Sequence, residues 1–127
     1  MKPKKIMIVD DSSSMRAFIM ASLQELGDIN FFEAKTGFEA LKELPKGNFD
    51  LVISDINMPD INGLELLNFI KKSDYYKNIP VLMISTETKE DDLKRAITLG
   101  ADMYLTKPFT SEAIKIAVKK LLQDTSV

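Results

Sequence analysis

Short, continuous hydrophobic runs alternate along the chain with segments whose hydrophobic residues have helical spacing. Most of the runs lack the polar residue at every second position that a half-exposed strand would show. Such runs are typical of parallel strands that helices cover on both faces. The sequence therefore predicts five buried strands. Their predicted bounds are Lys5 to Val9, Asn30 to Ala34, Leu51 to Ser54, Val81 to Ser85 and Met103 to Leu105.

A helical pattern follows each hydrophobic run, with one apolar stripe per segment. Gly27, Gly63 and Gly100 lie at the predicted element ends, where glycine commonly forms turns. The elements together predict an α/β fold of five βα units with a doubly wound, five-stranded parallel sheet. The stripes consist of Met15, Phe18, Ile19, Leu23 and Leu26; Ala40, Leu41 and Leu44; Leu66, Leu67 and Ile70; Leu93, Ala96 and Ile97; and Ile114, Val118, Leu121 and Leu122.

Length and charge indicate one domain and argue against a polyanionic partner. The 127 residues, 45% of them hydrophobic, fit a single compact core, and no repeat or linker divides them. We expect one domain over residues 1–127, with no output domain after it. The formal net charge of −2 provides no broad positive surface, so nucleic acid is not expected as a partner.

The chain contains neither cysteine nor histidine. Disulfides, thiolate nucleophiles, histidine bases and histidine metal ligands are therefore excluded, and with them serine-triad hydrolases and zinc enzymes. The basic start of the chain leads into an apolar run that is too short for a signal peptide. No segment reaches membrane-spanning length, so we expect no membrane insertion and a cytoplasmic location.

Polar residues follow four of the five predicted strands. In an open parallel sheet, functional sites form in the crevice outside the carboxyl ends of the strands, so these side chains should converge. They comprise three carboxylates, a hydroxyl pair and an ammonium group. In chain order the residues are Asp10, Asp11, Asp55, Ser85, Thr86 and Lys107.

Three carboxylates at one edge require a compensating cation. Two like charges about 4 Å apart repel by roughly 4 kcal/mol at an effective dielectric constant of about 20, and Lys107 supplies only one positive charge. Oxygen ligands of this kind suit Mg²⁺. A metal, a lysine and a serine hydroxyl could together position and neutralise a phosphoryl group, which would make Asp55 the nucleophile.

Each of these residues also has a simpler interpretation. Asp10 to Ser14 could cap a helix, Asp55 could begin an Asx turn, Ser85 could cap the fourth helix, and Lys107 could be a surface charge. Taken singly, each simpler interpretation is preferred. Their joint occurrence at the ends of four strands is what the simpler interpretations leave unexplained.

The sequence resembles the receiver domains of two-component response regulators over essentially the whole chain. It is most similar to the stand-alone chemotaxis type, the CheY-like receivers, which have a flavodoxin-like receiver fold. The matching residues, in order, are Asp10 and Asp11; Asp55 with Asn57, Met58, Pro59, Asn62 and Gly63; Ser85; Tyr104; and Lys107, Pro108 and Phe109.

The resemblance implies roles at the phosphoryl group and at a conformational switch. Asp55 would be the phosphoacceptor, with Ser85 and Lys107 contacting the phosphoryl group. The peptide bond from Lys107 to Pro108 would be cis. Tyr104 would be the switch aromatic, moving inward as Ser85 approaches the phosphate, although a half-buried strand tyrosine is a competing interpretation.

The resemblance also implies a Mg²⁺ site and a short-lived phosphorylated state. Asp11, Asp55 and the backbone carbonyl of Asn57 would ligate the metal, with Asp10 acting nearby through water. Asn57 and Glu87 occupy positions that tune the lifetime of the phosphoryl group in this family. Their combination implies a lifetime of seconds to minutes.

Partners follow from the same resemblance and from the absence of histidine. The phosphodonor would be a separate histidine kinase or a small molecule such as acetyl phosphate. The protein would be a monomeric signalling phosphoacceptor, not an enzyme acting on other substrates, and its output would be a downstream protein target. The target surface would surround Tyr104, with Lys94, Lys115 and Lys119 as candidate contacts.

Four alternatives remain open at the level of sequence. A phosphorelay intermediate would use the same site. A haloacid-dehalogenase-like phosphatase needs a second aspartate as general acid where this chain has Asn57. A flavodoxin-like electron carrier could hold a flavin phosphate at Ser12 to Ser14, but Asp10 and Asp11 would repel it. A pseudo-receiver that only binds partners would not need the phosphorylation residues.

Overall fold

The computed structural model describes residues 2–86 and 90–123, with the side chain of residue 90 left out. Every predicted strand is present, and no predicted end differs from the observed one by more than one residue. The strands are β1 (Lys4–Val9), β2 (Ile29–Ala34), β3 (Leu51–Asp55), β4 (Val81–Ser85) and β5 (Met103–Thr106). The helices are α1 (Ser13–Leu23), α2 (Gly37–Glu43), α3 (Gly63–Lys72), α4 (Glu90–Leu99) and α5 (Ser111–Gln123).

The five strands form one parallel sheet in the order β2-β1-β3-β4-β5. Alternate residues of β1 face two separate hydrophobic clusters. Ile6 and Ile8 pack with residues of α1 and α5, whereas Met7 and Val9 pack with residues of α2, α3 and α4. Because helices cover both faces, the central strands carry hydrophobic residues on both sides, and the predicted doubly wound α/β fold is confirmed.

Four of the described helices begin at capping residues near the carboxyl edge of the sheet. The side-chain oxygens of Ser12, Thr36, Asn62 and Thr110 accept hydrogen bonds from backbone N–H groups of the first turns of α1, α2, α3 and α5. Each cap satisfies a donor that the helix itself leaves unpaired. The helix-capping interpretation of the Asp10 to Ser14 segment is therefore correct for Ser12.

Some residues of the predicted hydrophobic stripes face solvent. Phe18 is 40% exposed and Ile97 is 61% exposed, while their neighbours Ile19 and Ala96 are buried. One residue along an α-helix rotates the side chain by about 100°, so only the centre of each stripe reaches the sheet. Leu26 lies outside α1, in a 3₁₀ turn that ends at a glycine.

The longest described helix, α5, has 13 residues. Of the helices in residues 2–86 and 90–123, none combines the length and the apolar content needed to cross a membrane.

Gly63 is the first residue of α3 and packs directly against the end of β3. A Cβ atom at this position would overlap the carbonyl oxygen of Asp55 and would lie 2.7 Å from the Cα of Ile56. Both neighbours are backbone atoms, which cannot rotate away as a side chain could. The N–H of Gly63 also donates to the carbonyl of Ile56 at 2.8 Å. The start of α3 is thus fixed against the strand end that carries Asp55.

The substitution Gly63→Ala is therefore expected to destabilise the protein by about 1–3 kcal/mol, the usual cost of overpacking. Helix propensity alone would change stability in the opposite direction, by up to about 1 kcal/mol. Urea unfolding followed by circular dichroism measures the difference. Gly47→Ala is the control, because the atoms nearest to its new Cβ belong to a side chain, the ring of Phe49, at 3.2 Å. Equal stability of Gly63→Ala and wild type would contradict the close packing.

Candidate functional site

The three predicted carboxylates converge at the carboxyl edge of the sheet. Asp10 follows β1, Asp11 comes next in the chain, and Asp55 ends β3. One carboxylate oxygen from each lies within 4.8 Å of the others. Asp10 and Asp55 are only 2% and 5% exposed, whereas Asp11 is exposed. The site is therefore an acidic cluster with two buried members and one member open to solvent.

Lys107, from the loop between β5 and α5, neutralises part of this charge. Its Nζ lies 3.3 Å from Oδ2 of Asp10 and 3.5 Å from Oδ2 of Asp55, and its side chain is mostly buried. The Lys107–Pro108 bond is cis, which confirms that prediction. Three carboxylates against one ammonium group leave two negative charges uncompensated within the cluster.

Asp10 is held at each of its polar atoms. Its N–H donates to the carbonyl of Ala34, and its own carbonyl accepts from Nη1 of Arg16 at 2.7 Å. Its carboxylate accepts from the N–H of Ser12 through Oδ1 and from Lys107 through Oδ2. Because both carboxylate oxygens already accept hydrogen bonds, Asp10 is fixed in place beside the other two acids.

Arg16 is a buried functional-site neighbour that the sequence analysis missed. It lies on α1, donates to the carbonyl of Asp10, and forms an ion pair of 2.8 Å with Glu33 on β2. A buried charge of this kind needs such partners to offset its desolvation. The available signal was its position three residues before Ile19, on the stripe that faces the core.

The surroundings of Asp55 shift its ionisation. Burial raises the pKa of Asp55, the ammonium group of Lys107 lowers it, and the negative charge of Asp10 raises it again; a hydrogen bond from the N–H of Asn57 also lowers it. The net result is a pKa above the usual value for aspartate. In the absence of a further cation, the ionised form of Asp55 is therefore disfavoured by folding.

Ser85 and Asn57 lie at and just after the ends of two adjacent strands, β4 and β3. Ser85 ends β4 and is completely buried. Asn57 lies in the exposed loop after β3, where its N–H donates to Oδ1 of Asp55 at 3.4 Å, the contact expected of an Asx turn. The side-chain amide of Asn57 donates to Oγ1 of Thr86 at 3.4 Å, which links this loop to the end of β4. Glu87, the other predicted lifetime-tuning residue, lies outside the described residues.

Tyr104 is a half-buried residue of β5, paired with Met83 of β4 and packed against the cluster under α2, α3 and α4. Its hydroxyl oxygen is buried and has no hydrogen-bond partner within the part of the chain that the structure describes. A buried hydroxyl without a partner carries a cost in free energy. Tyr104 is thus a half-buried strand tyrosine, as the competing interpretation expects, and its hydroxyl group lacks a hydrogen-bond partner among the described residues.

The donor set of the cluster fits a hard divalent cation. Carboxylate oxygens are the ligands that Mg²⁺ prefers in proteins, and the two uncompensated negative charges match its charge. The exposed position of Asp11 leaves the cluster open on the solvent side, as a cation that keeps several water ligands requires.

Comparison with known proteins identifies the family. The family model for the response regulator receiver domain matches residues 6–119, most of the chain. The chain therefore belongs to the receiver domains of response regulators, the phosphoacceptor signalling modules of two-component systems. This membership gives no support to the haloacid-dehalogenase-like alternative.

Within that family, the chain is similar to the CheY chemotaxis proteins. It is 40% identical to the chemotaxis protein CheY of Pseudomonas aeruginosa over 119 residues, which cover 94% of this chain and 96% of that protein. It is 41% identical to CheY-3 of Vibrio cholerae over 122 residues, covering 96% and 94%. The solved structure of CheY4 from Vibrio cholerae superimposes with a TM-score of 0.86 at 34% identity, covering 95% of this chain and all of that one.

The raised pKa of Asp55 predicts a stability cost that Asp55→Asn should remove. A carboxyl group whose pKa is raised by folding destabilises the folded state increasingly as the pH rises above its unfolded-state pKa, and the cost is complete above its folded-state pKa. At pH 7 without divalent metal, Asp55→Asn should unfold at higher urea concentration than wild type. The difference should shrink as the pH falls from the folded-state pKa of Asp55 towards that of the unfolded chain.

The exposed Asp74→Asn is the matched control, since its carboxylate lies far outside the cluster and is 94% exposed. Mg²⁺ should raise the stability of wild type and of Asp74→Asn more than that of Asp55→Asn. An Asp55→Asn variant that is less stable than wild type at pH 7 would show that the cluster carries no such cost.

Proposed function

We propose that Asp55 is the phosphoacceptor of this receiver domain and that its phosphorylation is Mg²⁺-dependent. The observation that carries the proposal is the position of Asp55, buried at the end of β3 within reach of Lys107 and two further carboxylates. Together with the family membership, this position at the end of the central strand β3 supports Asp55 as the acceptor.

In the proposed reaction a carboxylate oxygen of Asp55 attacks the phosphorus of the donor. The bond from phosphorus to the imidazole nitrogen of a kinase histidine, or to the oxygen of acetyl phosphate, breaks as the new acyl phosphate bond forms. The ammonium group of Lys107 is placed to move from the carboxylates to an oxygen of the incoming phosphoryl group. The hydroxyl of Ser85 is the second protein group proposed to contact that phosphoryl group.

The proposed Mg²⁺ ligands are Asp11, Asp55 and the backbone carbonyl of Asn57, with Asp10 acting through water. The indirect role of Asp10 rests on the family resemblance, and hydrogen bonds from Ser12 and Lys107 hold its carboxylate in place beside the other two. When bound, Mg²⁺ would supply the positive charge that lets the acidic cluster accept an anionic phosphoryl group. Asp10 and Arg16 would hold the end of β1 in place beneath it.

The switch is proposed to join Ser85 and Tyr104. The buried hydroxyl of Tyr104, without a partner in the described residues, supports a conformation that phosphorylation replaces. The target surface would lie around α4, β5 and α5, where Lys94 and Lys119 are exposed. Lys115 is less available, because it forms ion pairs with Glu25 and Glu112 and these raise its pKa.

We infer a chemotaxis-type response regulator from the similarity to CheY proteins along nearly their whole length. Its phosphodonor would be a histidine kinase and its output a downstream protein. The proposal includes a monomeric, cytoplasmic protein with one domain over residues 1–127, no nucleic-acid partner, and no catalysis beyond its own phosphorylation and dephosphorylation. A phosphorelay intermediate, using the same Asp55, is the second candidate function.

Incubation with acetyl phosphate and Mg²⁺ should add one phosphoryl group to wild type, as measured by intact-protein mass. Asp55→Asn should gain none, because the amide cannot form an acyl phosphate, and EDTA should prevent the gain in wild type. Asp74→Asn, which changes an exposed carboxylate, should behave as wild type does. Phosphorylation of Asp55→Asn would place the acceptor elsewhere, and no gain in wild type would favour a pseudo-receiver or a strict requirement for its kinase.

The phosphorylated protein should lose its phosphoryl group within seconds to minutes once acetyl phosphate is removed in the presence of Mg²⁺. The chemotaxis-type combination of Asn57 and Glu87 is the basis for this expectation. Rapid quenching followed by mass measurement gives the decay constant. The same phosphoprotein unfolded in urea provides the baseline for uncatalysed hydrolysis, and persistence for hours in the folded state would contradict the chemotaxis type.

A further inference from the structure

The loop between β3 and α3 is attached to the start of α2 by one side chain. The carboxylate of Asp60 accepts hydrogen bonds from the N–H groups of Gly37 at 3.2 Å and Phe38 at 3.0 Å, one on each oxygen. Burial acts to raise the pKa of Asp60, but hydrogen bonds from the backbone N–H groups of Phe38, Ile61 and Gly37 hold it below its usual value. An ionised carboxylate therefore binds two helix donors that α2 itself leaves unpaired.

A second contact joins the same two segments. A Cβ atom at Gly37 would lie 2.8 Å from the Cβ of Ile61 and 2.9 Å from its carbonyl oxygen. Only a residue without a side chain allows the helix to approach the loop this closely. The hydrogen bonds of Asp60 and the packing of Ile61 on Gly37 thus form one junction between the loop and α2.

This junction lies in the middle of the loop, away from its other attachments. At one end Ile56 donates to the carbonyl of Ile84, and at the other the N–H of Gly63 donates back to Ile56. The side chain of Asn57 makes a long contact of 3.4 Å with Thr86. Asp60 lies three residues after Asn57, so its attachment limits how far the backbone at Asn57 can move.

We propose that Asp60 is a positioning residue: by anchoring the loop to the start of α2, it holds the backbone carbonyl of Asn57 where Mg²⁺ is to bind. The inference rests on the proposed function, since it assigns that carbonyl to the metal site. Residues that orient metal ligands without touching the metal commonly change its affinity when they are replaced.

The test compares Asp60→Ala with Thr36→Ala. Thr36 caps the same helix by accepting from the N–H of Glu39, so its replacement weakens α2 without releasing the loop. A Mg²⁺ titration followed by backbone amide NMR shifts should give a half-saturation concentration on the order of tenfold higher for Asp60→Ala than for wild type. Thr36→Ala should match wild type. Asp60→Asn keeps one acceptor oxygen, so its half-saturation concentration should lie between those of wild type and Asp60→Ala.

Two further measurements separate positioning from a loss of structure. Hydrogen exchange at the amides of Gly37 and Phe38 should speed up in Asp60→Ala. The phosphorylation rate of Asp60→Ala with acetyl phosphate should be below the wild-type rate at low Mg²⁺ and equal to it at saturating Mg²⁺. A rate that stays low at saturating Mg²⁺ would overturn the inference.

The inference and the proposed function fail in different ways. If wild type shows no saturable response to Mg²⁺, the metal site itself is wrong. If wild type binds Mg²⁺ and Asp60→Ala has the same half-saturation concentration, Asp60 has no positioning role. Equal changes in Asp60→Ala and Thr36→Ala would likewise overturn the inference, because the effect would then come from the stability of α2.

Discussion

The contact of Lys107 with Asp10 and Asp55 is the interaction on which the rest of the site depends. It places one positive charge between two buried negative charges, while Asp11 adds a third at the solvent side. A buried carboxylate pair without a cation would be forced towards protonation. The single ammonium group therefore offsets part of the repulsion between the carboxylates and leaves a net negative charge in the cluster. That net negative charge is the condition for binding a divalent cation and then an anionic phosphoryl group.

The fold makes this arrangement possible because it brings segments that are far apart in the sequence to one edge of the sheet. Parallel strands all end on the same side, so β1, β3 and β4 and the loop after β5 deliver their last residues to one crevice. The neighbouring helices begin there as well, at Ser12, Thr36 and Asn62. Receiver chemistry thus needs no deep pocket, because a sheet edge with capped helix starts already gathers oxygen ligands, a hydroxyl and an ammonium group.

The sequence was sufficient for residues whose role follows from strand order, and insufficient for those whose partners are backbone atoms. The sequence alone predicts that three residues lie close together, because each follows a hydrophobic run typical of a parallel strand. These residues are Asp10, Asp55 and Lys107. Arg16 donates to the carbonyl of Asp10, six residues earlier, and Asp60 accepts from two N–H groups at the start of α2. Every residue except proline carries these backbone groups, so residue identity does not indicate such partners. The buried faces of the helices were predicted too wide for a different reason: periodicity gives the centre of a buried face, not its width.

The absence of space at Gly63 has a consequence for the length of the loop before it. Residue 63 is pressed against the carbonyl of Asp55, and the seven residues 56–62 form a closed span that leaves the strand end and returns to it. Inserting or deleting a residue in this span would move the start of α3 away from this contact or press it against the backbone of β3. Exchanging this segment between homologous domains should therefore succeed only with spans of equal length, whatever their sequence, so spacing is as strict a constraint here as residue identity.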